Sequence, residues 1–506
     1  MSVLCVDAGT TMVKSVLVGE GGVELAVARS ATVVSRPRPG WSEQDMYSVW
    51  DAVVHTIRSV VHSVGEHLAA DPVEALAITG QGDGCWLVGE DGRPTGPAIL
   101  WNDARATAAV DAWDADGRLA EAYRINGNLG FAGTQSAILD WLRAEDPDRL
   151  ERSHKALYCT GWLHHRMTGT FGVEISDAAS PFLDIAAGSY SRRIRELFDL
   201  EWAERLLPDV LSGADRCATL LDLPATELRL PPGLPVILAP FDIPATAIGI
   251  GAVSPGQGCS ILGTTLSTEV PWERPDTSGT PSGMILPLGV PGRFLRSLPA
   301  MAGADVITWG MRLIGLDDPN WLSDLAGLST RGANGLVFHP YLAPSGERAP
   351  FRDSQARGSI IGLSFEHSRR DIARALLEGL SFVIRDCLHA TEASVEELRL
   401  CGGGANSSFW CQLLADVTGA VAARSADSEI GAKGAYLTAR SILDSSDIAS
   451  LAAAQVTIRD RYEPDPAATA AYDDLFGEFL GLRTHARAGW PALAGLRERH
   501  ATSVVN

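Results

Sequence analysis

The chain has 506 residues, more than a single hydrophobic core usually accommodates, so we expect two large domains. Hydrophobic residues make up 46% and charged residues 21%, and no apolar run reaches the length of about 20 residues that a membrane-spanning helix needs, so no membrane partner is expected. The net charge of −20 argues against a nucleic-acid partner, because nucleic-acid-binding proteins usually present a basic face.

The cysteines and the amino terminus bear on the cellular compartment. Eight cysteines are scattered singly, with no CxxC pair, so reduced thiols fit the chain better than disulfides or a zinc site. The amino terminus enters an apolar strand at Val3 without a preceding basic region, which is not the pattern of a secretory signal peptide. We therefore expect a cytoplasmic protein.

The first half of the chain alternates short apolar runs with segments whose apolar residues recur at helical spacing. In the longest of these segments, Val49, Val53, Ile57 and Val60 follow one another at intervals of three or four residues, as on one face of a helix. This alternation predicts an α/β fold. Strands are predicted over residues 3–6, 13–18, 23–28, 75–79, 85–88 and 235–238, and helices over residues 46–68, 138–143 and 157–169.

The second half repeats the alternation. Both halves open with a strand, a Gly-Thr-Thr triplet and a second strand, at Gly9 and again at Gly263. The two triplets lie about half a chain length apart, so an internal duplication is one explanation and a chance match is the other. Strands are predicted over residues 259–261, 266–270, 336–340 and 397–401, helices over residues 371–392 and 409–419, and loops over residues 230–233 and 276–292.

The first Gly-Thr-Thr triplet follows Asp7 in a predicted hairpin. A glycine there lets backbone amides approach a phosphate, the hydroxyls of Thr10 and Thr11 add donors, and the carboxylate of Asp7 suits hydrated Mg²⁺. An ordinary β-turn with Asp and Gly in their usual places is the alternative. The sequence contains no G-x-x-x-x-G-K-[ST], which excludes the P-loop class of nucleotide-binding proteins.

Two further segments carry acidic or amide side chains directly after predicted strands. Gln81 and Asp83 alternate with glycines such as Gly82, which leaves both side chains unobstructed and suits recognition of polyol hydroxyls; a plain glycine-rich turn is the alternative. Asp242 follows the strand over residues 235–238, where a carboxylate points into the cleft of an α/β domain as a general base would. A helix N-cap is the alternative there.

A run of three glycines, residues 402–404, lies between a predicted strand and a predicted helix. Glycines at such a turn leave room for a flat ring or a ribose against the backbone, and the amides of a helix N-terminus attract phosphate. The spacing is not G-x-G-x-x-G, so the Rossmann dinucleotide fingerprint is absent. A tight turn in which Asn406 or Ser407 caps the helix is the alternative.

Together these segments resemble the FGGY carbohydrate kinase family over essentially the whole chain and in the same order. The resemblance implies an α/β fold of two actin-like (ribonuclease H-like) ATPase domains with a central cleft. It places an N-terminal, sugar-binding domain with the catalytic base at residues 1–247 and a C-terminal, nucleotide-binding domain at residues 248–506, with the option that the final helix packs back on the first domain. The segments that carry it are residues 7–11, 99–105, 263–265, 346–351, 377–382 and 402–407.

The resemblance also implies roles for individual residues. Asp242 would be the general base that takes the proton from the attacking hydroxyl, and Asp7 would position Mg²⁺ beside ATP. Phosphoryl transfer needs mainly positioning and charge neutralisation, so a base, a metal ion and amide cradles suffice. The sugar or polyol would contact Asp242, Gln81, Gly82, Asp83, Trp101 and Asn102. The nucleotide would contact Thr10, Thr11, Lys14, Gly263, Thr264, Thr265, Gly303, Gly403, Gly404, Asn406 and Ser407.

The motifs resemble different branches of the family, which differ in the sugar or polyol that accepts the phosphate (the acceptor). Residues 79–84 resemble the erythritol kinase branch of the family, whereas residues 39–45 are more similar to pentulose kinases, including L-xylulose kinase. Glycerol is disfavoured, because glycerol kinases have an aromatic residue where Gly130 stands. We expect a ketopentose of the xylulose type, with erythritol or a related polyol as the alternative.

Two other classes of protein share parts of this pattern. A non-kinase ATPase of the actin-like superfamily, such as a chaperone or filament protein, would have the nucleotide motifs without a sugar site, and Gln81 and Asp83 argue against it. A sugar-responsive repressor would need a DNA-binding module, and the sequence shows no basic appendage. The sequence leaves the assembly open, with a homodimer as one option.

Overall fold

A computed structural model describes residues 2–263, 266–290 and 292–501. The chain forms two compact units, and it enters unit 1 three times. Unit 1 consists of Met1–Val253, Trp272–Leu295 and Asp427–Val456, and unit 2 consists of Ser254–Pro271, Arg296–Ala426 and Thr457–Asn506. The final helix lies in unit 2. The boundary after residue 247 and the assignment of sugar and nucleotide to separate domains stay predictions.

Both units combine strands with helices, which confirms the predicted α/β class. Among the described residues, no helix has both the length and the apolar character needed to cross a membrane. The strands are β1 (Ser2–Ala8), β2 (Met12–Val18), β3 (Glu24–Ala31), β4 (Glu43–Gln44), β5 (Val73–Gly80), β6 (Trp86–Val88), β7 (Ala98–Ile99), β8 (Lys155–Leu157), β9 (Gly172–Glu174), β10 (Leu183–Asp184), β11 (Ser189–Tyr190), β12 (Asp209–Leu211), β13 (Cys217–Thr219), β14 (Pro235–Leu238), β15 (Gly256–Leu262), β16 (Leu266–Trp272), β17 (Met284–Pro287), β18 (Phe294–Ala300), β19 (Val337–His339), β20 (Ser359–Ile361), β21 (Val395–Cys401), β22 (Val421–Ser425) and β23 (Ile458–Tyr462). The helices are α1 (Met46–Ser63), α2 (Gly65–Ala70), α3 (Thr107–Ala115), α4 (Arg118–Asn126), α5 (Gln135–Glu145), α6 (Pro147–Arg152), α7 (Cys159–Thr168), α8 (Ile175–Ala179), α9 (Arg192–Leu197), α10 (Asp222–Leu228), α11 (Asp242–Gly249), α12 (Ala304–Ile314), α13 (Pro319–Gly327), α14 (Arg369–Ala390), α15 (Ser408–Thr418), α16 (Ile430–Leu443), α17 (Ile448–Gln455), α18 (Pro466–Arg487) and α19 (Trp490–Ala501).

The central sheet of unit 1 has the strand order β13-β14-β5-β1-β2-β3. β14, β5 and β1 are parallel neighbours, whereas β2 and β3 continue from β1 as antiparallel strands. Because parallel strands end at the same edge of a sheet, the segments that follow β1, β5 and β14 lie together. This edge is called the strand-end edge below.

Six strands of the second large sheet show the same succession read from the opposite end, in the order β18-β16-β15-β21-β22-β23. β15 pairs with β16 as an antiparallel hairpin, and β15, β21 and β22 are parallel neighbours. The hairpin of each unit therefore occupies the equivalent place in its sheet, next to parallel strands. This agreement favours an internal duplication over a chance match of the Gly-Thr-Thr triplets.

Helices cover both faces of the unit 1 sheet, because successive residues of a strand point to opposite faces. Leu4 and Val6 of β1 face the cluster that contains α1 and α7. Val3 and Cys5 face the cluster that contains α11 and α16. All four side chains are fully buried, so β1 is a central strand with a packed layer on each side.

The return of residues 427–456 to unit 1 depends on close contact between two helices. A Cβ atom at Gly434 of α16 would overlap the backbone of Ala245 in α11, and one at Gly249 would overlap the carbonyl of Ile430. Only glycine permits this approach, since any side chain would push the helices apart. α16 is thereby brought against α11, the helix that begins at Asp242.

Three of the differences between the predicted and the observed elements have a clear local reason. The helix predicted over residues 46–68 is broken at Val64, which has non-helical angles just before Gly65, a poor helix former. The helix predicted over residues 157–169 starts at Cys159, because Leu157 pairs with Trp86 in a short sheet. The loop predicted over residues 276–292 contains β17, whose apolar residues are buried.

Candidate active site

The strand-end edge of unit 1 brings three of the predicted site segments together. Asp7 lies near the end of β1, Gln81 directly follows β5, and Asp242 lies a few residues beyond β14. The Thr79 hydroxyl donates to the Pro240 carbonyl at 2.7 Å, which fastens the end of β5 to the segment before Asp242. Asp242 is the first residue of α11, so the N-cap alternative for it is wrong; the N-cap position is occupied by Phe241.

The carboxyl of Asp242 has a strongly altered affinity for protons. Burial first, and then the charges of Asp7 and Asp83, raise its pKa from 3.8 to about 7, against a hydrogen bond from the backbone of Ile243 that lowers it. Burial likewise raises the pKa of Asp7, which the charge of Lys14 lowers and that of Glu429 raises. Such shifts are typical of functional carboxylates, and a pKa near 7 suits a general base at neutral pH.

The surroundings of Asp7 fit a magnesium ion. Mg²⁺ is commonly bound through one or two carboxylates together with substrate phosphates and water. Asp7 and Asp242 raise each other's energy by repulsion, which a divalent cation would offset. Gly431 leaves space beside the Asp7 carboxylate because it has no side chain. A Cβ atom there would lie only 2.9 Å from an oxygen of Asp7.

Thr10, Gln81 and Trp101 share one hydrogen-bond network. The Trp101 indole donates to the Thr10 hydroxyl at 2.9 Å, and that hydroxyl donates to Gln81 Oε1 at 2.9 Å. Gln81 Nε2 donates to Gln44 Oε1 at 2.9 Å, and Gln44 Nε2 donates to the carbonyl of Thr10 at 2.7 Å. Gln44 was not predicted as a site residue, although it stands in the stretch of residues 39–45 that resembles pentulose kinases.

Asp83 adopts a backbone conformation that non-glycine residues rarely take. Its φ is +52°, in the left-handed region, which Asp tolerates better than most residues but which still costs energy. The Ser180 hydroxyl donates to Asp83 Oδ1 at 2.8 Å, and the Tyr158 hydroxyl donates to the Ser180 carbonyl at 2.7 Å. The carboxylate is thus held in place by a residue, Ser180, that sequence reasoning missed.

Gly82 and Asn102, both predicted to contact the sugar, lie in different surroundings. The Phe241 ring lies beside Gly82, where a Cβ atom would overlap it, so packing against this ring is one reason for the glycine. Asn102 is exposed, whereas its neighbour Asp103 is buried and binds Arg105 at 2.8 Å. Contacts of Gly82 and Asn102 with a substrate stay predictions.

Lys14 lies opposite Asp7 in the β1–β2 hairpin. Its ammonium group forms an ion pair with Glu429 at 2.8 Å, and Glu429 also accepts a hydrogen bond from Arg29 Nε at 3.1 Å. Glu429 precedes α16 and is far from the hairpin in sequence, so no local pattern predicted the pair. This ion pair with Glu429 sets the position of the Lys14 ammonium group beside Asp7.

The glycine turn of unit 2, residues 402–404, contains two of the predicted nucleotide contacts, Gly403 and Gly404. A Cβ atom at Gly402 would lie 2.8 Å from the backbone of Leu262, and one at Gly404 would overlap Trp410, so both glycines have packing reasons. A Cβ atom at Gly403 would meet nothing within 4 Å. Ser407 is the N-cap of α15, where its hydroxyl accepts from the amide of Trp410 at 3.1 Å. Gly403 therefore presents the open backbone surface of this turn.

The second predicted phosphate hairpin, residues 263–265, lies partly outside the described residues. Gly263 comes directly after β15, and Thr264 and Thr265 lie outside the described residues. Gly303 directly precedes α12. The segment before it is fixed by Glu347, whose carboxylate accepts a hydrogen bond from the backbone amide of Met301 at 2.7 Å.

Comparisons with known proteins point in one direction. The model of the FGGY family of carbohydrate kinases matches with its N-terminal domain over residues 2–249 and with its C-terminal domain over residues 290–441. A xylulose kinase of Escherichia coli is 32% identical over 82% of this chain and 84% of its own length. An erythritol kinase of Brucella abortus is 29% identical over 97% of this chain and 98% of its own. The solved structure of a ligand-bound xylulose kinase from Lactobacillus acidophilus superposes with a TM-score of 0.90 at 22% identity, covering 97% of this chain and 99% of that one, and shows the same fold.

The raised pKa of Asp242 predicts a pH-dependent cost to stability. A carboxyl whose pKa is raised on folding binds its proton more tightly in the folded state, so its ionisation destabilises the fold increasingly from about pH 4 to about pH 7. Asp242→Asn should therefore melt at a higher temperature than the wild type at about pH 8. The difference should shrink toward pH 4, as measured by circular dichroism.

The control for this comparison is Asp111→Asn, on the exposed face of α3. It should leave the melting temperature unchanged across the same range. A lower melting temperature for Asp242→Asn at about pH 8 would contradict the repulsion inferred at the strand-end edge.

The open surface at Gly403 predicts a selective effect on nucleotide binding. Gly403→Val has the space it needs and should leave the fold intact, while its side chain would cover the backbone that is expected to face adenosine. Calorimetry should show ATP binding weakened by about tenfold or more, the loss expected from about 1.4 kcal/mol of steric conflict. Gly279→Val, at another glycine with open space, is the control. Unchanged ATP affinity in Gly403→Val would remove this turn from the nucleotide site.

Proposed function

The chain belongs to the FGGY family of carbohydrate kinases, and from this premise we propose that it transfers the γ-phosphate of ATP to a ketopentose of the xylulose type. Sugar kinase activity follows from membership of the family, which decides against a non-kinase actin-like ATPase. The observation that carries the proposed site is Asp242 at the strand-end edge, with a pKa of about 7 beside Asp7 and Asp83.

Asp242 is proposed as the general base. Its carboxylate accepts the proton of the acceptor hydroxyl while the oxygen of that hydroxyl bonds to the γ-phosphorus and the bond from phosphorus to the β-phosphate oxygen breaks, which releases ADP. A carboxyl with a pKa near the working pH is ionised often enough to accept the proton and basic enough to draw it away. The raised pKa of Asp242 supports this role.

Asp7 is proposed to hold Mg²⁺, which would supply positive charge against the phosphates. Lys14 lies across the hairpin from Asp7 and adds a second positive charge, and Thr11 has an exposed side chain at the turn of the hairpin. In unit 2, Gly403 and the turn around it are proposed to receive the adenosine. Residues Gly263, Thr264, Thr265 and Gly303 stay predicted nucleotide contacts, as do Gly404, Asn406 and Ser407.

A ketopentose is the acceptor that the comparisons support best. The xylulose kinase of Escherichia coli is 32% identical, and residues 39–45 resemble pentulose kinases. The erythritol kinase of Brucella abortus aligns over 97% of the chain, which supports a four-carbon polyol as the second candidate. The predicted cytoplasmic location and an association into homodimers stay part of the proposal.

Turnover of ATP over a panel of acceptors tests this proposal. We expect xylulose-type ketopentoses to be phosphorylated with the highest kcat/KM, erythritol and other tetritols less well, and glycerol least. Asp242→Asn should lower turnover by about 10²- to 10⁴-fold, the usual contribution of a general base. In the wild type, kcat/KM should rise with pH up to about pH 7, because only the ionised carboxylate accepts a proton. Turnover of Asp242→Asn within a few-fold of the wild type would contradict the assignment.

Asp83 is predicted to contribute to the affinity for the acceptor. Asp83→Asn keeps a residue that tolerates a φ of +52° and keeps an oxygen for the Ser180 hydroxyl, but it removes the charge. Because hydrogen bonds to charged groups contribute about 1.5–3 kcal/mol, the KM for the best acceptor should rise by about ten- to a hundredfold. ATP affinity without sugar should barely move.

The matched control for Asp83→Asn is Asp199→Asn, since Asp199 has a similar φ of +54° but is exposed. It should leave both constants unchanged. An unchanged acceptor KM in Asp83→Asn, or glycerol as the preferred acceptor, would show that the acceptor binds elsewhere.

A further inference from the structure

We infer that the hydroxyl of Thr10 is a positioning group rather than a phosphate ligand. With Gln44 it ties the acceptor-binding side chains Gln81 and Trp101 to the phosphate hairpin. This inference rests on the proposed function in one respect, that the acceptor lies against Gln81 and Trp101. It revises the prediction that the side chains of Thr10 and Thr11 both hold phosphate, and it gives Gln44 a role.

The donor directions in this network follow from two fixed ends. The carbonyl of Thr10 can only accept, so Gln44 must turn its Nε2 toward it, at 2.7 Å, and its Oε1 toward Gln81. Gln81 must then present Nε2 to Gln44 and Oε1 to Thr10. Gln81 Oε1 cannot donate, so the Thr10 hydroxyl must donate to it, at 2.9 Å.

The other fixed end is the indole of Trp101. Its Nε1 is a donor only, and it lies 2.9 Å from the Thr10 hydroxyl, which therefore accepts from it. A hydroxyl has one proton, and here that proton is used by Gln81. A phosphate oxygen needs a donor, so the Thr10 hydroxyl would have to abandon Gln81 in order to bind it.

Breaking this network would be unfavourable. Gln44 and Gln81 are almost completely buried, with exposed fractions of 1% and 2%, so an amide group that loses its partner there is not rehydrated. The carbonyl of Thr10 also accepts from the Thr32 hydroxyl at 2.7 Å, which uses its second lone pair. The side chain of Thr11, by contrast, is exposed at the turn of the hairpin. Its hydroxyl is the one available to a phosphate.

The consequence concerns the acceptor. The network fixes the orientation of Gln81 and Trp101 relative to the β1–β2 hairpin. Loss of the Thr10 hydroxyl should therefore disturb acceptor binding first, which is the opposite of what a phosphate ligand would show. The backbone amides of the hairpin stay available to phosphate in either case.

The test compares Thr10→Val with Thr11→Val in the full chain. Thr10→Val has nearly the same shape as the wild type but lacks the hydroxyl. By calorimetry, the Kd for the best acceptor of the wild type should rise by about five- to thirtyfold, because buried partners are left unpaired. The Kd for ATP without acceptor should change by less than about twofold. Thr11→Val should show the reverse pattern, with ATP affinity lowered and acceptor affinity unchanged.

Two further variants separate positioning from damage to the fold. Thr10→Ser restores the hydroxyl and should restore most of the acceptor affinity. Gln44→Met should raise the acceptor Kd as Thr10→Val does. The double variant Thr10→Val/Gln44→Met should lose less acceptor-binding free energy than the two single variants together, since both substitutions break the same network. Additive losses in the double variant would contradict a shared network.

The outcome that overturns the inference is a fall in ATP affinity in Thr10→Val with acceptor affinity unchanged. That result would make the Thr10 hydroxyl a phosphate ligand and would leave the proposed function intact, provided that Asp83→Asn still raises the acceptor KM. Failure of the wild type to phosphorylate any sugar or polyol would instead remove the proposed function. The two failures are therefore distinguishable.

Discussion

The parallel strands of unit 1 bring carboxylates to one edge of its sheet, where they repel one another. β1 and β14 flank β5, so Asp7 and Asp242 reach the same edge of the sheet, and Asp83 joins them from the segment after β5. All three residues are partly buried, and burial is the largest cause of the raised pKa values of Asp7 and Asp242. A fold selected for stability alone would pair such charges or replace them with apolar residues. The presence of these carboxylates fits the proposed site for a metal ion and a proton transfer.

The groups at this edge are held by neighbours from distant parts of the chain. Lys14 supplies positive charge beside Asp7 and is itself fixed by Glu429. Glu429 and Gly431 belong to the segment that returns to unit 1 late in the chain, and that segment packs on α11 through glycines. Asp83 is fixed by Ser180, and Gln81 by Gln44 and Thr10. Lys14, Gln81 and Asp83 are thus each oriented by a partner on another element, which keeps their positions independent of the substrate.

The sequence predicted those features that depend on neighbouring residues. Periodicity of apolar residues is local, so the alternation of strands and helices and the strand ends at Asp7, Gln81 and Asp242 were foreseen. Gln44, Ser180 and Glu429 were missed because each acts through a partner distant in sequence, and nothing in their own segments marks that contact. Gly82 shows a different limit. A glycine signals close approach, but the sequence does not say whether a substrate or, as here, the ring of Phe241 comes close.

The central claim is that the acceptor of the phosphoryl group lies against the strand-end edge of unit 1, within reach of Asp242. A crystal structure of the enzyme with a ketopentose and a non-hydrolysable ATP analogue tests this most directly. The account predicts one hydroxyl of the sugar within about 3 Å of the Asp242 carboxylate, the distance for direct proton transfer, with Asp83 bonded to another hydroxyl. A sugar bound away from Asp242, or with Asp83 and Gln81 out of its reach, would contradict it.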